Sequence, residues 1–130
     1  MLTVEQITTA VTEYVSRIGA AAAADVAALY AEDGTLEDPA GGEVRTGRDN
    51  IAAFYRALDA TTTTAELLTV RVSGNAAAFH MRVTTTTADR VITIDPIDVM
   101  TFDTDGLITN MRAFWSPNDV VVRELSDSAD

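Results

Sequence analysis

Near the start of the chain, apolar side chains recur at Val4, Ile7, Val11, Tyr14, Val15 and Ile18, the three-and-four spacing of one helical face. Thr3 followed by Gln6 forms a capping box that opens such a helix, and Gly19 closes it. Tyr14 therefore falls on the buried stripe. The alanine-rich stretch that follows needs no role beyond its helix propensity. It predicts a second helix from about Ala21 to Ala31, with Val26, Leu29 and Tyr30 facing inward and a stop before Gly34. Pro39 pushes Asp38 away from helical geometry, so Thr35 to Asp38 reads as a short extended piece before the turn Ala40-Gly41-Gly42. After Gly47 a third helix places Ile51, Phe54, Tyr55 and Leu58 on one face.

From Glu66 onward the period shortens to two. Leu68, Val70 and Val72 alternate with polar residues, Ser73-Gly74-Asn75 turns the chain, and Ala77, Phe79, Met81 and Val83 alternate again. Val91 to Phe102 and Leu107 to Ser116 form a second pair around the turn Asp103-Thr104-Asp105-Gly106. Helices first and an antiparallel meander second predict an α+β domain with its helices on one face of a sheet. The chain has 130 residues, 47% of them hydrophobic, enough for one core and no second domain. Residues 1–125 are read as that domain, and the polar tail 126–130 as frayed.

Charge and composition narrow the chemistry. Twenty acids against nine bases give a net charge of −11, which opposes binding to nucleic acid or to anionic membrane surfaces and points to a neutral or apolar ligand. The plain reading of such acidity is a solvated surface. Without cysteine there are no disulfides, thiol nucleophiles or thiolate metal sites, and one histidine cannot build a histidine-rich metal centre. Carboxylates, phenols and backbone groups are left to act. The N-terminus has neither a basic start nor a continuous apolar stretch, so a soluble cytoplasmic protein is expected, with no membrane association.

Splitting Val91 to Phe102 by parity sets Asp98 among Ile92, Ile94, Pro96, Met100 and Phe102. Two readings fit. Asp98 lies near an edge or pairs with an arginine, or it is buried, protonated and able to donate a hydrogen bond. Tyr14, Tyr30 and Tyr55 each carry a polar tip on an apolar helical stripe; singly each is a core residue with a satisfied hydroxyl, and together with a buried acid they suggest a polar cluster. Asp38, before Pro39 and a glycine turn, reads as a turn-former or as a general base at a loop edge. His80 and Arg112 have the parity of the opposite sheet face.

The same residues resemble the bacterial ketosteroid isomerases. The likeness runs from about Tyr14 to Glu124 and rests on Leu29-Tyr30-Ala31-Glu32-Asp33-Gly34-Thr35-Leu36-Glu37-Asp38-Pro39, on Gly47 to Arg56, on Pro96-Ile97-Asp98-Val99-Met100-Thr101-Phe102-Asp103 and on Met111-Arg112-Ala113-Phe114-Trp115-Ser116. The resemblance implies Asp38 as proton-shuttling base, Tyr14 and protonated Asp98 as oxyanion donors, and Tyr30 and Tyr55 as supporting hydrogen-bond partners. It further implies that Phe54, Met81, Val83, Met100, Met111 and Trp115 line an apolar steroid pocket. Ketosteroid isomerase is itself the known case of one acid acting as base while a second is held neutral. A conical nuclear transport factor 2-like fold, a homodimer and catalysis without cofactor or metal are implied as well. The threonine-rich stretch 60–66 and the loop 84–90 depart from the likeness. On the same fold stand dehydratases, epoxide hydrolases, polyketide cyclases and non-catalytic binding modules. An Asp-Arg-Asp hydrolase relay conflicts with the parity of Arg112, and a histidine-dependent dehydratase has His80 alone to draw on.

Overall fold

The amide of Gln6 donates to Thr3 Oγ1 at 3.0 Å while the amide of Thr3 donates to Gln6 Oε1 at 2.8 Å, the reciprocal pair that starts a helix. In the computed structural model, which describes residues 1–20, 22–59 and 61–125, this helix is α1 (Val4–Ala20). It buries Ile7, Val11, Tyr14, Val15 and Ile18. Val4, at the first helical position, is 65% exposed and stands outside the stripe that begins at Ile7.

The second helix is shorter than its alanines suggest. α2 (Ala23–Ala27) ends before Tyr30, which opens strand β1 (Tyr30–Glu37). Pairing overrides propensity here: Tyr30 stands opposite Ile108, and the Ile108 amide donates to Leu29 O at 2.9 Å. Gly34 is thus a strand residue rather than a helix stop. A Cβ there would come within 2.9 Å of Ile108 O and 3.1 Å of Ala31 O, where the register of β1 shifts. A short strand β2 (Val44–Thr46) pairs back onto β1, and Gly47, at φ +90, turns the chain into α3 (Arg48–Tyr55) and a tight turn Arg56–Leu58.

The long hairpin of β3 (Thr62–Ser73) and β4 (Ala76–Thr86) begins in threonine rather than in apolar alternation. Thr62, Thr63 and Thr64 face Thr86, Thr85 and Thr84 in register, as suits β-branched side chains. Residues 84–86, read as loop from the sequence, therefore belong to a strand. A slip between Leu67 and Thr69 leaves Leu68 unpaired, so the inward set changes parity there. The single strand expected from Val91 to Phe102 is two, β5 (Arg90–Ile94) and β6 (Ile97–Phe102), divided at Pro96, which has no N–H to give a ladder. β7 (Ile108–Phe114) follows, and β8 (Val120–Glu124), absent from the sequence reading, pairs with β5. The predicted frayed tail lies outside the described residues.

These eight strands form one curved, mainly antiparallel sheet in the order β2-β1-β7-β6-β4-β5-β8, with β3 on β4. β1 and β7 are its parallel pair. The far edge of β4 is shared, residues 76–80 pairing with β6 and residues 83–86 with β5. α1 lies over β3 and β4 while α2 and α3 pack together beside β1, leaving a hollow between helices and sheet. No described helix is long and apolar enough to cross a membrane.

Gly34→Ala tests the close approach of β1 to β7. Adding a methyl group against two backbone carbonyls is expected to cost about 1–3 kcal/mol, read as a lowered urea midpoint with an unchanged slope; wild-type stability would show that the strands can move apart freely.

Candidate active site

Sheet register brings the two acids onto one rung. Asp98 on β6 pairs with Ala113 on β7 and with Phe79 on β4. Glu37 ends β1 opposite Arg112, and the Ala40 amide donates to Ala113 O at 2.7 Å, so Asp38 follows the far side of the same β7 residue. Inward parity on β6 falls on Asp98, Met100 and Phe102, all buried, whereas Ile97 on the other face is 44% exposed.

Asp98 is completely buried, and neither of its carboxyl oxygens has a hydrogen-bond partner among the described residues. The edge or arginine-paired alternative is thereby set aside. Loss of hydration drives its pKa well above the ordinary carboxylate range, and the charge of Asp38 adds to the shift. Burial thus favours the neutral, protonated form of this side chain.

Tyr14 from α1, Tyr55 from the end of α3 and Tyr30 from the start of β1 meet as a chain. Tyr55 Oη lies 2.8 Å from Tyr14 Oη and 2.8 Å from Tyr30 Oη. Burial raises all three phenols well above their usual value, with mutual charge repulsion adding to it. Tyr14 packs edge-on to Phe79 with ring centroids 6.1 Å apart. The cluster anticipated from the sequence is real for the tyrosines; Asp98 shares their cavity and remains unbonded to them.

Asp38 has a different environment. It is half-buried, and Trp115 Nε1 donates to its Oδ1 at 2.6 Å. Desolvation raises its pKa while the Trp115 bond lowers it. It stands at the cavity wall with its carboxyl group held by the Trp115 indole, and it is less perturbed than Asp98.

A cavity of about 250 Å³, open on one side, contains all three groups. Tyr14, Tyr55, Asp38, Asp98, Phe54, Met81, Val83 and Trp115, all singled out from the sequence, line it. Tyr30 stands behind Tyr55. Met100 and Met111, expected in the pocket, are instead fully buried core residues paired across β6 and β7; inward parity put them on the correct face at a depth the cavity does not reach. Ile18, Leu58, Thr85, Ile94 and Pro96 join the lining. Ile18 carried a signal in the stripe of α1, whereas the contribution of Thr85 depends on strand pairing. His80 and Arg112 lie outside: His80 Nε2 is 3.6 Å from Asp95 Oδ2, and Arg112 Nε is 3.1 Å from Glu37 Oε1. No group of three or more His, Cys, Asp or Glu side chains that could hold a metal ion occurs among the described residues.

A buried acid that keeps its proton alters stability with pH. The unfolded side chain ionises above about pH 3.9 while folded Asp98 does not, so its contribution to stability is fully present below that pH and is lost as pH rises toward the folded pKa. In this window the Asp98 contribution falls by about 1.4 kcal/mol per pH unit. Asp98→Asn should remove this component, so that the variant gains on the wild type as pH rises; urea midpoints from pH 4 upward, about the start of that window, that stay parallel would contradict a protonated Asp98.

Residues 11–111 match the SnoaL-like domain family. The steroid delta-isomerase of Nocardioides simplex is 49% identical over 117 residues, covering 90% of this chain and 95% of that protein. Among solved structures, SalBIII, an epoxide hydrolase/cyclase-like enzyme of pyran ring formation in polyether salinomycin, superposes with a TM-score of 0.85 at 25% identity, over 92% of this chain and 97% of the other. The sheet, the helices above it and these matches agree: the chain belongs to the SnoaL-like family of nuclear transport factor 2-like domains, in which it is related to a steroid delta-isomerase.

Proposed function

We propose that this protein is a steroid delta-isomerase that converts 3-oxo-Δ5 steroids into 3-oxo-Δ4 steroids. The observation that carries the reading is Asp98, a fully buried acid whose two oxygens have no partner among the described residues, in a cavity walled mostly by apolar side chains. Such a group is costly to keep and gains a purpose when a substrate oxygen accepts its proton in a hydrogen bond. The relationship to the Nocardioides enzyme supports the same reaction.

In a 3-oxo-Δ5 steroid the proton between carbonyl and double bond is acidic. Asp38 removes it, giving a dienolate with its negative charge on the carbonyl oxygen, and returns it two carbons further on; no atom is gained or lost. Tyr14 and Asp98 donate to that oxygen as charge develops. Both donors keep their protons at neutral pH because burial raises their pKa values, and the partly solvated Asp38 stays available as base. Exclusion of water from the apolar walls strengthens both hydrogen bonds. No cofactor enters this scheme. We include in the proposal an apolar steroid substrate, a cytoplasmic location and a homodimer; Ile97 and Phe114 on the outer sheet face, each 44% exposed, offer apolar area to a second copy.

A hydrolase built on an Asp-Arg-Asp relay fits less well, since no arginine is among the described residues that line the cavity and Arg112 is turned away to Glu37.

Ultraviolet absorbance after addition of 5-androstene-3,17-dione should rise as the conjugated enone forms, and no rise over buffer would reject the isomerase reading. Asp38→Asn is expected to lower kcat by about 100- to 10,000-fold, and Tyr14→Phe by about 100- to 1,000-fold with a smaller change in KM; full activity in Asp38→Asn would remove the base from the scheme. The base must be ionised, and its pKa lies above the ordinary aspartate value, so kcat/KM should fall on acidification already above that range. Trp115→Phe deletes the bond that lowers the pKa and should move this acid limb to higher pH; a limb that stays in place or moves down would separate Trp115 from the base.

A further inference from the structure

Only one end of the cavity holds the proposed chemistry. Phe79, opposite Asp98 and buried, marks the closed end. From there β4 points Met81, Val83 and Thr85 into the hollow, Met81 buried and the other two half-buried. The six residue steps from Phe79 to Thr85 span about 20 Å of extended strand. Thr85 therefore lies toward the open end, past Val83 and its register partner Ile94. Between the ends the wall is apolar, formed by Ile18, Leu58, Met81, Val83 and Ile94.

Thr85 is the one aliphatic hydroxyl among the described lining residues. Its register partner on β3, Thr63, is already committed. Thr61 Oγ1 donates to Leu58 O at 3.1 Å, so the 3.1 Å contact between Thr61 and Thr63 takes the Thr63 proton. Among the described residues nothing pairs with the Thr85 hydroxyl, which leaves its proton free to point along the cavity. On the isomerase reading, a four-ring ketone whose first oxygen is held by Asp98 and Tyr14 would run along β4 and carry its last ring toward this position.

We propose that Thr85 is a specificity-determining residue whose hydroxyl donates a hydrogen bond to a carbonyl oxygen on the far ring, so that the site prefers 17-oxo steroids to steroids unsubstituted there. The assignment rests on the isomerase reading for the orientation of the ligand. Because Thr85 is half-exposed, water competes for its proton and the preference is modest, about fivefold.

Trp115 is the only tryptophan of the chain and lines the cavity, so its fluorescence reports binding without turnover. Titration with 4-androstene-3,17-dione and with 4-androsten-3-one should give a wild-type Kd ratio of about five in favour of the dione. Thr85→Val, which keeps the shape and removes the donor, should bring the ratio close to one, and Thr85→Ser should keep it. An equal ratio in wild type and Thr85→Val, or no preference in the wild type, would overturn the assignment. Isomerisation of the matching Δ5 ketones is scored separately by absorbance. A ratio that collapses in Thr85→Val with no turnover by the wild type rejects the isomerase and retains Thr85; an unchanged ratio in an active enzyme does the reverse.

Discussion

A carboxyl group without a partner in an apolar hollow is the constraint around which the rest of this molecule is arranged. Charged, Asp98 would cost several kcal/mol to bury; neutral, it loses far less. Everything that shapes its surroundings favours the neutral form: the parity of β6, the aromatic ring of Phe79 on the neighbouring strand, and Met100 and Phe102 buried further along the same face. Slipping β6 by one residue would carry Asp98 to the outer face and bring Ile97 inward. The register of β6 against β4 and β7 is thus as much a part of the site as the acid. Asp38 shows how much depends on surroundings, since an identical side chain around the same β7 residue, touched by solvent and by the Trp115 indole, is only moderately perturbed.

What could be read from the chain follows from the range of the forces involved. α1 is legible down to its capping box, and Asp98 down to its inward parity, because helical and strand periodicity are local properties of neighbouring residues; the choice between a paired and a buried Asp98 depends on the strands around it. Tyr30 was assigned to a helix because its alanine-rich surroundings favour one; its strand exists through Ile108, far along the sequence. The bulge at Leu68 and the edge strand β8 likewise have causes in their partners. Trp115 and Asp38 were both named through family likeness, but a bond between residues 77 apart leaves no mark on periodicity. Met100 and Met111 had the right face and the wrong depth, since parity gives a direction and no distance.

The same scaffold carries other chemistry. A relative of similar shape is an epoxide hydrolase/cyclase-like enzyme, and a fold common to both cannot choose between them. The choice here falls to a handful of side chains: no arginine among the described lining residues, two acids in unlike surroundings and three linked phenols. β4 and β5 supply one end of the cavity through Val83, Thr85 and Ile94, while α1, β6 and the residues that follow β1 and β7 supply Tyr14, Asp98, Asp38 and Trp115. Rim residues can therefore change without disturbing the rung that aligns the acids.

The tyrosine chain has a polarity that distances alone do not express. Each hydroxyl owns one proton, and for Tyr14 to point its proton into the cavity Tyr55 must donate to Tyr14 and Tyr30 to Tyr55. The three O–H dipoles then align head to tail, their positive end toward the hollow, and each bond polarises the next. In the proposed reaction the arrangement would work as a short wire ending where negative charge develops, insulated by the same apolar packing that favours a neutral Asp98. Its three posts are set in α1, α3 and β1, so loosening any one element would break the alignment of the dipoles while leaving Asp38 in place.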